Sequence, residues 1–183
     1  MLVPDVRFLQ QHAEDILGIV LTHSHEDHIG AVQYVWGQLA CPIYTTKFTA
    51  NFLRAKIDRL SIADKIIINE INPSERLELG PFSIDFTPLT HSTAEMNGLM
   101  IRTRLGNIFH TGDWKFDDDP IIGQKADEEA LKKLGDEGIL ALIGDSTNVF
   151  SPGTSGSEGE LATSLAEIVA GCKQLVCVTT FAS

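Results

Sequence analysis

Residues 22–30 read Thr-His-Ser-His-Glu-Asp-His-Ile-Gly, so four side chains able to ligate a metal, His23, His25, Asp27 and His28, fall within six consecutive positions. They follow residues 16–22 (ILGIVLT), a β-branched apolar run of the kind buried on both faces of a sheet. In an extended chain leaving a strand, residues i and i+2 point the same way, which puts the imidazoles of His23 and His25 on one side. Asp27 and His28 fall where the next helix begins, and their side chains can turn back toward the strand end. A lone histidine after a strand is an ordinary surface residue. Three histidines and an aspartate at the carboxyl end of a buried strand form a metal site, with His23 and His25 on one ion and Asp27 and His28 on a neighbour. Mixed imidazole and carboxylate ligands suit zinc, with manganese as the rival.

The chain must therefore fold so that strand ends gather, and the remaining pattern agrees. Residues 29–39 have helical periodicity, with Ile29, Val32, Val35, Trp36 and Leu39 on one face. Residues 42–44 and 66–71 read as strands around a second amphipathic helix at 46–60. The rhythm then changes to an antiparallel meander of strands at 76–79, 82–88, 99–105 and 108–110, with turn signals at Gly80-Pro81 and Gly106-Asn107. A charged helix at 125–137, a buried strand at 139–143, a Gly/Ser/Pro loop at 151–159, a helix at 161–170 opened by the Ser157…Glu160 capping box, and a buried strand at 174–180 complete the pattern. Mixed sheets with helices outside them predict an α/β sandwich rather than a doubly wound sheet. No GxGxxG or Walker loop supports a nucleotide cofactor.

Two further strand ends supply ligands. His91 follows the strand that ends at Pro88, and Asp113 stands one residue past a glycine in His110-Thr-Gly-Asp113. Gathered on one edge of a sandwich, His23, His25 and His91 make a tri-histidine site with an open position. Asp27, His28 and Asp113 hold the second ion, with Asp113 bridging both. Two ions roughly 3.5–4 Å apart share a hydroxide, which is a nucleophile at neutral pH. His12 reads as exposed, His110 as packed in its strand with a hydrogen bond to backbone, and Glu26 as facing solvent.

Composition sets outer bounds. The 183 residues are 43% hydrophobic and 21% charged, an ordinary globular balance. Lys plus Arg is 14 against 25 Asp plus Glu, a formal charge of −11, which excludes a surface that holds nucleic acid by charge alone. Candidate cations for a groove are Lys47, Arg54, Lys56, Arg59 and Lys115, several of them on the solvated face of the 46–60 helix. Cys41, Cys172 and Cys177 cannot all pair and match no zinc knuckle, so they read as buried thiols in a reducing compartment. Pro4, Asp5 and Arg7 break any signal-peptide core, and no window approaches the ~20 apolar residues of a membrane span, so a cytoplasmic protein is expected. Both ends read as cut, as in a piece of a longer protein.

Together, the T-H-x-H-x-D-H-I-G segment at 22–30, the T-H-S at 90–92 and the H-T-G-D at 110–113 resemble the metallo-β-lactamase superfamily, whose fold is an αββα sandwich. H-T-G-D-W-K-F-D at 110–117 and G-D-S-T-N at 144–148 are similar to the β-CASP branch, which acts on nucleic acids, and most similar to its ribonuclease J group. The resemblance runs from about Val3 to Ser183. It implies a partial, incomplete metallo-β-lactamase domain over 1–178 and the start of an inserted β-CASP domain at 179–183. It also implies that His23, His25, Asp27, His28, His91 and Asp113 are metal ligands for two divalent ions. Asp27, Asp113 and Asp145 are the implied catalytic carboxylates, with Asp145 orienting or feeding a proton to the leaving oxygen. The implied reaction is hydrolysis of RNA, internally or processively from a 5′ monophosphate, by a protein that forms homo-oligomers. The group's first strands with an early Asp, and its later motifs with a last metal-site His, are missing, so this piece alone is expected to hold metal weakly and show little activity. The alternatives are an ester, thioester or lactone hydrolase of the same superfamily, which would lack the D-S-T-N segment, or a non-catalytic scaffold.

Overall fold

Alternation of side chains along three short parallel strands divides the interior into two layers. A computed structural model describes residues 3–73 and 75–180. Strands β1 (Ile19–Val20), β2 (Ile43–Thr45) and β3 (Ile68–Glu70) pair in parallel in that order. Ile19, Leu21 and Ile43 point to one side and pack with Val32, Trp36, Leu53 and Ile57. After the short helices α1 (Arg7–Gln11) and α2 (Glu26–Ile29), α3 (Val32–Leu39) and α4 (Lys47–Ile57) carry the latter residues and cover the sheet's outer face. Val20 and Tyr44 point the other way and pack against Ile84, Phe86, Leu99 and Ile101 of a second sheet. Those that are fully buried, such as Ile43, Leu53 and Phe86, each contribute roughly 1.5–3 kcal/mol. The indole N–H of Trp36 donates to the Cys41 carbonyl at 2.7 Å, so this large ring is buried without leaving its polar atom unpaired.

The second sheet has five strands: β4 (Arg76–Leu79), β5 (Phe82–Pro88), β6 (Asn97–Thr103), β7 (Gly106–His110) and β8 (Ala141–Ile143). The first four form the antiparallel meander, and β8 joins β7 in parallel. On its outer side α5 (Glu128–Asp136) packs Leu131 against Leu89, Met96 and Ala126. The order helix, sheet, sheet, helix is the expected sandwich. The mixed character lies in the second sheet alone, since the first is wholly parallel.

Charged residues tie the meander's rim. Arg76 and Asp85 are cross-strand partners, and Arg76 Nε donates to Asp85 Oδ1 at 2.6 Å. Arg102 Nη1 reaches the other oxygen at 2.7 Å while its Nε donates to Glu137 at 2.6 Å, joining β5, β6 and the end of α5. Asp85 is held below the usual carboxylate range by these bonds, that from Arg76 first, against the opposing effect of burial.

Several elements differ from expectation. The 16–22 strand pairs as a ladder only at Ile19–Val20, because the chain then changes sheets: Leu21 N–H still reaches Tyr44 O, but Thr22 O accepts from Asn97 of β6. The helix expected at 29–39 is two, a single turn α2 (Glu26–Ile29) followed by α3. The turn expected at Gly106-Asn107 falls at 104–105, with Gly106 (φ +140) already in β7. The helix expected from Lys125 starts at Glu128, where the Asp127 carboxylate accepts from Ala130 N–H. Ser157 does cap a helix, α6 (Glu158–Gly171), which starts three residues earlier than expected, but its hydroxyl accepts from Gly159 N–H rather than from Glu160 as a capping box requires. The buried strand expected at 139–143 is β8, an exposed edge with Leu142 68% accessible. Residues 174–180 form no strand: among the described residues they have no pairing partner, and Leu175 and Val178 are exposed. Of the three thiols only Cys41 is buried. No helix among the described residues is long and apolar enough to cross a membrane.

Candidate metal centre

The switch of the chain from one sheet to the other at Thr22 brings the first histidines to the shared edge of both. His23 has no accessible surface, and its Nδ1 lies 3.0 Å from the Thr22 hydroxyl, which fixes the ring. His25 is two residues on, with ring centroids 4.9 Å apart, as the extended spacing predicts. His25 is also the residue before α2, and its carbonyl accepts from the amides of His28 and Ile29, starting the turn that carries Asp27 and His28. The Ser24 hydroxyl meets that of Thr93 at 2.8 Å and ties this segment to the loop after β5.

That loop delivers His91. Its Nε2 faces His25 Nδ1 at 3.0 Å. Asp113 arrives after β7 through Gly112, whose φ is +58 and whose missing Cβ would stand 2.2 Å from Met96 Cε. Only glycine meets both conditions without strain. Asp113 then divides its oxygens. Oδ2 lies 3.8 Å from His23 Nε2 and 3.7 Å from His91 Nε2, and Oδ1 lies 3.3 Å from His28 Nε2. Asp27 Oδ2 is 3.4 Å from the same His28 nitrogen. One ligand atom from each of His23, His25, His91 and Asp113 falls within 4.8 Å of the others, as does one from each of Asp27, His28 and Asp113.

The donor set fits a cation. His23 Nε2 is a buried nitrogen with no hydrogen-bond partner among the described residues, an arrangement that costs free energy unless something else binds there. Burial first, then the neighbouring imidazoles of His28, His25 and His91, pushes His23 down to about 2. Burial also lowers His91, with His25 adding to it and the Asp113 and Asp145 carboxylates opposing. Both shifts favour the neutral ring, the form that ligates metal.

Asp145 is not brought into this cluster. It follows β8, its backbone N–H donating to the Thr111 hydroxyl at 3.1 Å, and it lines a cleft of 630 Å³ together with His91, Trp114 and Lys115. Its Oδ1 accepts from the Thr147 amide at 2.8 Å and hydroxyl at 2.7 Å, which hold the carboxyl below its usual range. His12 is exposed and His110 Nδ1 accepts from Gly112 N–H, both as expected. Glu26 is exposed but engaged, accepting from Lys56 at 2.6 Å. Of the candidate groove cations, Arg54, Lys56 and Lys115 are in ion pairs, while Lys47 and Arg59 make none among the described residues.

One residue had no role assigned from sequence. The side chain of Asp117 is fully buried and accepts from Lys115 Nζ at 2.8 Å, Glu158 N–H at 2.9 Å and Asp119 N–H at 3.0 Å. It clamps the start of α6 to the segment after Asp113. The alternation Trp114, Lys115, Phe116, Asp117 carries the signal, with aromatics and charges on opposite sides of an extended stretch.

Two facing sheets with helices outside them, and a His/Asp cluster at their strand tips, define a metallo-β-lactamase-type domain. The family described as "Beta-lactamase superfamily domain" matches residues 2–131, and the chain belongs to it. The chain is 40% identical over 183 residues to ribonuclease J of Sinorhizobium meliloti, matching along its whole length and covering 32% of that protein. It is 38% identical over 190 residues to ribonuclease J of Thermus thermophilus, covering 33% of it. The chain thus spans about a third of the length of these curated relatives. Among solved structures, a protein of unknown function from Enterococcus faecalis V583 superposes with a TM-score of 0.62 at 20% identity, over 84% of this chain and 38% of that one, a likeness of fold.

Proposed function

We propose that this chain is the metal-binding part of a metal-dependent ribonuclease that hydrolyses phosphodiester bonds in RNA. The observation that carries this reading is the divided Asp113 carboxylate, one oxygen toward His23 and His91 and the other toward His28. His23, His25 and His91 would hold one divalent ion, and Asp27 and His28 a second, with Asp113 shared. Zinc suits this set better than manganese because imidazole dominates it. Two such ions would supply an activated nucleophile and positive charge for the phosphoryl oxygens.

The protein's own groups do the rest. Thr22 fixes the His23 ring, and Gly112 lets Asp113 turn inward. Asp145, kept ionised by Thr147, is suited to orient a proton-bearing partner at the leaving oxygen rather than to donate a proton itself. The kinship with ribonuclease J favours RNA, cut internally or from a 5′ monophosphate end. We read residues 1–178 as the metallo-β-lactamase part and 179–183 as the opening of an inserted β-CASP domain, of which 181–183 lie outside the described residues. A cytoplasmic, homo-oligomeric protein is the accompanying expectation.

The test uses the full-length protein. Metal content by mass spectrometry is expected near two equivalents, and a 5′-phosphorylated RNA oligomer is expected to be hydrolysed in preference to a lactone or thioester. An empty site, or turnover of the small esters without RNA cleavage, overturns the reading.

A further inference from the structure

Two large aromatic side chains next to the metal centre are exposed without serving the core. Trp114, immediately after Asp113, is 38% accessible, and Phe116 is 56% accessible. Their rings meet edge to face, with centroids 5.0 Å apart and planes at 70°. Trp114 lines the 630 Å³ cleft that also holds His91 and Asp145.

The segment that bears them is held rigidly. Lys115 N–H donates to Thr90 O at 2.9 Å, and the Thr90 hydroxyl donates back to Lys115 O at 2.6 Å. Lys115 Nζ is anchored on the opposite side by Asp117 at 2.8 Å. The aromatic pair is thus preorganised on a fixed extended stretch, and little ordering entropy remains to be lost when a ligand docks.

The cleft's charge says what kind of contact it can make. Lys115 is its one lining cation among the described residues, and Asp117 neutralises it. A phosphate gains little there, whereas a partly exposed indole offers an aromatic surface for stacking, which every nucleobase can accept. The same cleft is lined by Ser146 and Asn148, polar side chains suited to a base edge or a sugar.

We propose that Trp114, backed by Phe116, is a stacking platform for one nucleobase of the RNA strand beside the metal centre. The proposal rests on the ribonuclease reading and assigns a substrate contact to that site. It also gives a chain of net charge −11 a contact with a polyanion that does not depend on Lys or Arg side chains.

The experiment measures binding by the metal-loaded full-length protein to oligomers whose linkages are phosphorothioates, so that its readout does not depend on cleavage. The probes are 5′-phosphorylated hexaadenylate and the same oligomer with a single abasic ribose at each position in turn. Trp36 is buried, so fluorescence quenching present in the native protein and absent in Trp114→Phe reports stacking on Trp114. Trp114→Ala is expected to weaken hexaadenylate binding on the order of tenfold, and Trp114→Phe to keep most of the affinity. An abasic ribose at one position should weaken native binding by the same factor and Trp114→Ala no further. Unchanged metal uptake by Trp114→Ala checks that the site is intact. RNA binding that is indifferent to Trp114→Ala, or losses that add at every abasic position, overturns the platform alone. Failure of the native protein to bind or cleave RNA overturns the platform and the ribonuclease reading together.

Discussion

His28 Nε2 lies 3.3 Å from Asp113 Oδ1, while the other oxygen of that carboxylate turns to His91 at 3.7 Å. One side chain thus faces both groups of donors. Asp113→Asn keeps the shape but removes the charge and one acceptor oxygen. On the ribonuclease reading proposed above, metal bound by the full-length protein should fall from two equivalents toward one or fewer, with activity on RNA lower by at least roughly a hundredfold. Metal analysis beside single-turnover cleavage checks this, and a variant that retains both ions would separate Asp113 from the centre.

Gly112 tests the turn that aims Asp113. Its φ of +58 disfavours any side chain, and an added Cβ would meet Met96 Cε at 2.2 Å. Gly112→Ala should cost about 1–3 kcal/mol of stability and lower metal affinity. In a Met96→Ala background, which removes the clash, adding Gly112→Ala should cost less than it does in the native protein but still lower the melting temperature below that of Met96→Ala alone, by the backbone strain that remains.

Asp85 governs part of the acid response. Its folded pKa is depressed, by Arg76 first and then Arg102. Its stabilisation is therefore complete above the ordinary carboxylate pKa of about 4 and is lost as pH falls through the lower folded value. Urea unfolding at pH 7 and at about pH 3 should show a loss in the native protein that Asp85→Asn reduces by about 1 kcal/mol. An unchanged slope in the variant would count against this.

Asp117 should act on the clamp and not on the metal. Asp117→Ala removes the acceptor for the Glu158 and Asp119 amides and for Lys115. Hydrogen exchange at those two amides should accelerate while the metal content of the His23–Asp113 cluster stays near native. Loss of metal without faster exchange would assign Asp117 a different role.

Much of the site is legible in the sequence because its chemistry resides in side-chain type and close spacing. His23, His25, Asp27 and His28 lie within one turn of chain, and His91 and Asp113 each follow a recognisable strand. The bounds of β4 and β5 are legible too, since alternation stops at Gly80-Pro81. What sequence leaves out depends on distant partners. Nothing near Gly112 announces Met96, and nothing near Asp117 announces the Glu158 amide. Residues 174–180 read as a buried strand from their apolar run, but a strand exists only where another pairs with it. The early end of β1 is hidden for a related reason, as Thr22 exchanges its first-sheet neighbour for Asn97.

That exchange at Thr22 has a bearing on assembly. His23, His25 and His28 hang from the tip of the first sheet, while His91 and Asp113 hang from the second. An ion seated between them acts as a rivet through the seam of the sandwich. Because its donors come from both sheets, the site is complete only when the two are docked, so binding of a cation there would be linked to that docking. Whatever loosens the seam, however far from the histidines, should then release the cation as well.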